Sequence, residues 1–250
     1  MTAKTHTNRA MTTLNARDRA PLVVIAHAAG PVAPAPALTG RGATTTVRSV
    51  VEAEIVVRPL AAADLADLAV LFDAHWNTRH CWCMAPCRTR GRFAVGWFAG
   101  GNRRAFEAGV TAGGPPMGLL ASVADEPVGW CACGPRSRYV EADRGRGELL
   151  RDRDPGEDHA VWLVACLFVR SGSRGQGISY ALMRAAIDLA AREGAVAVEG
   201  WPIAASDRAS AEAFLGRESA FDRLGFAPVR RPRAGRVVMR RELGHGTTTS

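Results

Sequence analysis

The stretch SGSRGQGIS, Ser171–Ser179, stands between ten unbroken apolar residues, AVWLVACLFV (160–169), and a helix-patterned segment, YALMRAAIDLAAREG (180–194). An apolar run of that length reads as a strand buried on both faces. Ile178, Ala181, Leu182, Ala185 and Leu189 then recur on one face of a helix that Gly194 closes. A glycine-rich turn between such a strand and helix leaves backbone N–H groups free at the positive end of the helix dipole, which suits an anion. Gly172 and Gly177 have the separation of a nucleotide-binding P-loop, but Ile178 stands where its lysine belongs, so a γ-phosphate lacks its grip. Gly175 and Gly177 fit a dinucleotide fingerprint, but Tyr180 replaces its third glycine. A diphosphate held by backbone N–H groups, with the Arg174 guanidinium beside them, fits better. The competing reading is a strand-to-helix turn that holds nothing.

Working outward, EIVVRPL (54–60) is a short strand, and DLADLAVLFDAHW (64–76) places Leu65, Leu68, Ala69 and Phe72 on one helical face. Residues 77–101 mix Trp, Cys, Arg and Gly and read only as loops and short helix. NRRAFEAGV (102–110) is a further helix with Asn102 placed to cap it. GLLASVA and PVGWCACGP, joined by Asp125 and Glu126, form a hairpin, and 136–158 is a charged loop. After the central helix come the strand AVAVEGWP (195–202), a helix around AEAFLGRESAFDRLG (211–225), and the strands FAPVRR and RVVMRRE. The order predicts an α+β domain with one strand–loop–helix–strand unit whose strands are parallel. Residues 1–52, rich in Thr, Ala, Pro and Arg, read as a disordered extension, 53–243 as the single domain, and 244–250 as a disordered tail.

The formal charge of +8 favours polyanions only if it is concentrated on the domain, and half of it falls in residues 1–52. Lys4 is the only lysine, so the basic excess is arginine, which reads as coding bias more than phosphate recognition. Nucleic acid is therefore not an expected partner. No apolar run approaches the roughly 18 residues of a membrane helix, so no membrane partner is expected either. The segment PLVVIAHAAGPVAPAPA (21–37) has a weak likeness to a signal peptide, interrupted by His27 and followed by prolines. Six cysteines without a disulfide-like framework fit reduced thiols in a cytoplasm.

Taken together, the motifs resemble the GCN5-related N-acetyltransferases (GNAT). Arg174, Gly177 and Ser179 of RGQGIS occupy that superfamily's signature positions, Val169 falls at the usual end of the preceding strand, and Gly225–Phe226 matches a C-terminal pattern. RHCWCM, EPVGWCACGPR, VEGWP and VMRREL, in that order, resemble a bacterial subgroup. The resemblance implies a mixed, mostly antiparallel central sheet with flanking helices and a splayed parallel strand pair. It implies that acetyl-CoA is the cosubstrate, with no metal. Its pyrophosphate would lie on Arg174, Gly175, Gln176, Gly177, Ile178 and Ser179, and its pantetheine arm along the backbone of Phe168 and Val169. The acceptor would be a primary amine of a small molecule or protein, attacking the thioester directly, and a homodimer is compatible with such a chain.

The resemblance also implies a tyrosine four residues before Gly225–Phe226, where this chain has Phe221, which has no proton to give. Ser219 on the same helix is the substitute candidate, and Glu199 in VEGWP the candidate base, with a structural pair to an arginine as its competing role. His80 and His159 are lesser candidates. CWCMAPC (81–87) departs from the paired Cys-x-x-Cys spacing of zinc sites, and Cys131 and Cys133 share one strand face as a buried thiol pair. Two rival functions are an acyl-CoA-binding regulatory module without catalysis and a zinc- or redox-responsive cysteine protein.

Overall fold

A computed structural model describes residues 54–140, 149–202, 217–233 and 236–244. Strand β1 (Ile55–Pro59) is followed by helices α1 (Leu65–Asp73), α2 (Trp76–Cys81), α3 (Arg90–Trp97) and α4 (Gly101–Thr111). Strands β2 (Gly118–Val123), β3 (Glu126–Pro135) and β4 (Val161–Val169) lead to helix α5 (Ile178–Arg192). Strand β5 (Ala197–Gly200), helix α6 (Glu218–Asp222) and strands β6 (Ala227–Arg233) and β7 (Arg236–Glu242) complete the described chain. The expected extension over 1–52, most of the tail and the start of the helix expected over 211–225 lie outside the described residues.

The seven strands form one sheet in the order β1-β2-β3-β4-β5-β7-β6, in which β4 and β5 are parallel and all other neighbours antiparallel. This is the mixed α+β architecture that the sequence implies. On one face α5 buries Ile178, Leu182, Met183, Ala186 and Ile187 against β3 and β4. On the other, α1 and α4 press Phe72 and Phe106 edge-on against Trp130, at centroid separations of 5.9 and 5.6 Å. Each such buried aromatic contributes roughly 1.5–3 kcal/mol of burial plus a smaller edge-to-face term. Cys131 and Cys133 both face α5, and all six cysteines are free thiols.

One local expectation is corrected. Asn102 does not cap α4, whose N-cap is Gly100. It is fully buried instead, donating to the carbonyls of His80 at 3.0 Å and Phe93 at 3.3 Å and accepting from Arg88 Nη1 at 2.9 Å. One amide thus ties α2, α3 and α4 together. Residues 77–101 hold most of α2 and all of α3 among turns, the loops and short helix expected, with Trp82 edge-on to both Phe72 and Phe106.

Candidate active site

The site begins where β4 and β5 part. Their pairing runs from Val161↔Ala197 to Val164↔Gly200 and ends there, while β4 continues to Val169. The β3–β4 register shifts at the same point, from Cys133↔Val164 to Ala132↔Cys166, leaving Ala165 as the extra residue of a bulge. A bulge bends its strand and sharpens its twist, so β4 turns away from β5 after Val164. A strand edge of five residues, Ala165–Val169, is left without a β5 partner, roughly 16 Å long at 3.3 Å per residue. Gly200 at the end of β5 serves a second need: a Cβ there would overlap the ring of Phe221. Phe221 is completely buried and packs edge-on against Phe226 at 5.0 Å, anchoring α6 beside the opening.

Beyond that edge comes the turn. Ser171–Ser173 form one 3-10 turn, Gly175 and Gly177 have φ of +80° and +82°, and Gly177 is the N-cap of α5. Both φ values lie where a side chain is strained, and a Cβ at either position would meet nothing within 4 Å. The loop therefore presents open backbone to solvent at the N-terminus of a fifteen-residue helix. Arg174 is exposed, and its Nε donates to the Val169 carbonyl at 3.3 Å, which holds the guanidinium across the turn. Val169, Arg174, Gly175, Gly177, Ile178 and Ser179 line one open cleft of about 410 Å³. Its other wall is Ala220 and Arg223 of α6 and its boundary, which sequence reading had not joined to the loop. Gln176 and Phe168 are not in that lining. A smaller cavity of about 230 Å³ lies between Leu60, Met117 and Leu189, with Glu193 as its one charged group, and it offers no acid–base pair.

Glu199, the third residue of β5, is buried at the base of the opening. Its Oε1 accepts from Arg136 Nη1 and from Arg240 Nη1, each at 3.2 Å, while Oε2 is buried and has no hydrogen-bond partner among the described residues. Arg136 is only 1% exposed. It also donates to Asp158 Oδ1 at 2.8 Å and to the Asp154 carbonyl at 2.5 Å. Arg240 Nη1 in turn reaches Glu157 Oε2 at 2.8 Å, and Arg153 holds Asp158 at 2.9 Å. A charged loop in sequence has thus become a buried ionic network beside the strand opening. Ser219 is exposed on α6, next to the cleft-lining Ala220 but not itself in the lining. His159 is exposed, and His80 stands edge-on to Trp76 at 4.4 Å and stacks on Trp97 at 5.3 Å. Among the described residues no group of three or more His, Cys, Asp or Glu side chains is placed to hold a metal.

The network makes a pH prediction. The Glu157 carboxyl is held below its usual range mainly by the hydrogen bond from Arg240. Burial pushes Asp158 upward, but hydrogen bonds from Arg153 and Arg136 outweigh it and the net shift is down. Groups with depressed folded values stabilise the fold above the ordinary carboxylate range of about 4 and lose that contribution as pH falls through the depressed values. Thermal unfolding should therefore be nearly level from about pH 7 to 5 and fall steeply below about pH 4. A melting temperature unchanged down to about pH 3 would contradict this reading of the network.

Their surroundings argue against nucleophilic chemistry at Cys83, Cys87 and Cys131. Desolvation pushes the Cys87 thiol up to about 12, and Cys83 and Cys131 are raised through contact with Cys166 and Cys133 and by burial. Neutral buried thiols are poor nucleophiles.

The sequence model of the Acetyltransferase (GNAT) family matches residues 72–221. No curated protein sequence matches the chain. Among solved structures, YncA of Salmonella typhimurium, described as a putative acetyltransferase with its cofactor acetyl-CoA, is 16% identical, covers 79% of this chain and 98% of its own, and has a TM-score of 0.47. The PaiA N-acetyltransferase of Thermoplasma acidophilum in complex with coenzyme A is 11% identical over 76% of this chain and 99% of its own, with a TM-score of 0.46. A GCN5-related N-acetyltransferase from Kribbella flavida is 18% identical over 76% and 98%, with a TM-score of 0.44.

Proposed function

Because the chain belongs to the acetyltransferase (GNAT) family and is thereby an acyltransferase, we propose that it moves an acetyl group from acetyl-CoA to a primary amine of a small molecule or protein by direct attack. The observation that carries this reading is the open strand edge Ala165–Val169 leading into a turn of exposed backbone at Gly175 and Gly177. The diphosphate would rest on Arg174, Gly175, Gln176, Gly177, Ile178 and Ser179, where helix-terminal N–H groups and a guanidinium offset its charge. The pantetheine amides would bond the backbone of Phe168 and Val169 along the side of β4 that faces away from β3. Transfer is direct, with no covalent enzyme intermediate, and holding the thioester in line with the amine lowers the barrier by making their encounter effectively unimolecular. We assign the catalytic domain to residues 53–243 and, from its free thiols, its place to the cytoplasm.

The substrate's ammonium must lose a proton before its nitrogen can attack the thioester carbonyl. The C–N bond forms as the C–S bond breaks, and CoA leaves as the thiolate, which takes its proton from solvent. We assign the acceptor of the amine's proton to Glu199 Oε2. Oε1 is occupied by two guanidiniums, so Oε2 is the lone-pair site left for a proton relayed from the amine. Ser219 is given the smaller role of a solvent-linked contact. The test is acetyl-amine formation from acetyl-CoA, followed by mass spectrometry over a panel of primary amines. Turnover with at least one amine is expected. With that amine, Glu199→Gln should lower kcat by about 100-fold with acetyl-CoA affinity within about twofold of wild type, and Ser219→Ala should change kcat by no more than about twofold. Unchanged turnover in a folded Glu199→Gln protein would leave that carboxylate as an anchor for two arginines and nothing more. Acetyl-CoA binding with no turnover on any amine would favour the non-catalytic module, the reading that Phe221 in place of a tyrosine supports.

A further inference from the structure

We infer that Arg223 and Tyr180 make the cleft a two-walled clamp for the nucleotide end of its ligand, with Arg223 reading a phosphate monoester at the ribose 3′ position. The inference rests on the acetyl-CoA reading of the cleft. A diphosphate on the backbone turn accounts for one wall. Among the lining residues that it leaves without a task are Tyr180 and Arg223. Tyr180, in the first turn of α5, is 44% exposed, an unusual setting for a large ring. Arg223, forty-nine positions after Arg174 in the chain, faces the same space from the end of α6.

Arg223 is not consumed by the fold. Its Nε donates to the Ser219 carbonyl at 3.2 Å, and among the described residues its two terminal nitrogens have no hydrogen bond or ion pair. Glu218, a carboxylate on the same helix, is already paired with Arg231 at 2.7 Å. The cleft lining itself contains two arginines and no acid. Anchoring Nε orients the planar fork and leaves both terminal nitrogens to meet an anion, the arrangement in which arginine recognises phosphate. A phosphate monoester is nearly dianionic at neutral pH, so it gains more from that fork than a diphosphate linkage does. An exposed tyrosine beside it supplies a face on which a purine stacks. CoA carries both groups on one ribose, an adenine and a 3′-phosphate.

The experiment is calorimetric titration of the full chain with CoA and with 3′-dephospho-CoA. The wild type should bind CoA about tenfold more tightly than the dephospho form. Arg223→Gln should bind both with the affinity that the wild type has for the dephospho form, and Tyr180→Ala should weaken both by about fivefold with the preference intact. No preference in the wild type, or a preference that survives Arg223→Gln, overturns the assignment of Arg223 while leaving the acetyl-CoA reading standing. Unchanged binding by Tyr180→Ala removes the stacking face. If neither carrier binds the wild type, the reading of the cleft and this inference fall together.

Discussion

Replacing Gly177 with glutamate should abolish acetyl-CoA binding, weakening it by more than about 100-fold, and leave the fold intact. The position has φ +82° at the N-cap of α5, where a side chain costs on the order of 1–2 kcal/mol, or a loss of roughly 2–8 °C in melting temperature. The added Cβ meets nothing within 4 Å, so packing is undisturbed. The carboxylate, however, stands at the mouth of the cleft beside Arg174, competing for the guanidinium and repelling a diphosphate. Gly177→Ala separates the two effects, since it carries the strain without the charge and should bind within about tenfold of wild type. Retained binding by the glutamate variant would mean that the turn is not the cradle.

Arg136→Ala should cause the largest loss of stability, about 3–5 kcal/mol, read as a fall of roughly 6–20 °C in melting temperature. Arg136 is buried to 1% exposure and holds Asp158 and Glu199 from one guanidinium. Removing it leaves two buried carboxylates short of a partner, and that desolvation, more than the lost attraction, sets the size of the effect. Arg136→Lys should recover only part of the loss, because an ammonium cannot reach the carboxylates and the Asp154 carbonyl together with the geometry of a fork. Arg240 is more exposed and shares its role with neighbours, so Arg240→Ala should cost less. An Arg136→Ala protein melting within about 2 °C of wild type would show that the network contributes little.

Much of the architecture was written in local patterns. The ten-residue apolar run, the glycine turn and the amphipathic helix gave the parallel unit, and the hairpin from Gly118 to Pro135 gave its neighbours. The bulge was not legible, because Ala165 is one apolar residue among ten and only the registers with β3 and β5 reveal that it is unpaired. Trp82 and Cys83 take φ of +45° and +48° at the end of α2 with no glycine to signal the turn, so the geometry of 77–101 was hidden too. In both cases tertiary packing, not local preference, decides the backbone.

The site was legible on one side only. Gly175, Gly177 and Arg174 are contiguous, and the chemistry of a backbone anion cradle follows from their order. Arg223 reaches the same cleft through a helix docked by Phe221 over Gly200, a contact between distant segments that no spacing rule encodes. Arg136 reads as one more arginine of a charged loop until Asp158 and Glu199 close around it.

The most direct measurement is the melting temperature of the purified chain titrated with acetyl-CoA, CoA and ATP in parallel. At about 100 times the dissociation constant, a ligand that binds only the folded state adds about 2.7 kcal/mol, which raises the melting temperature by roughly 5–11 °C. Acetyl-CoA and CoA should both produce that rise, and ATP should not. Stabilisation by ATP alone, or by none of the three, would contradict the account.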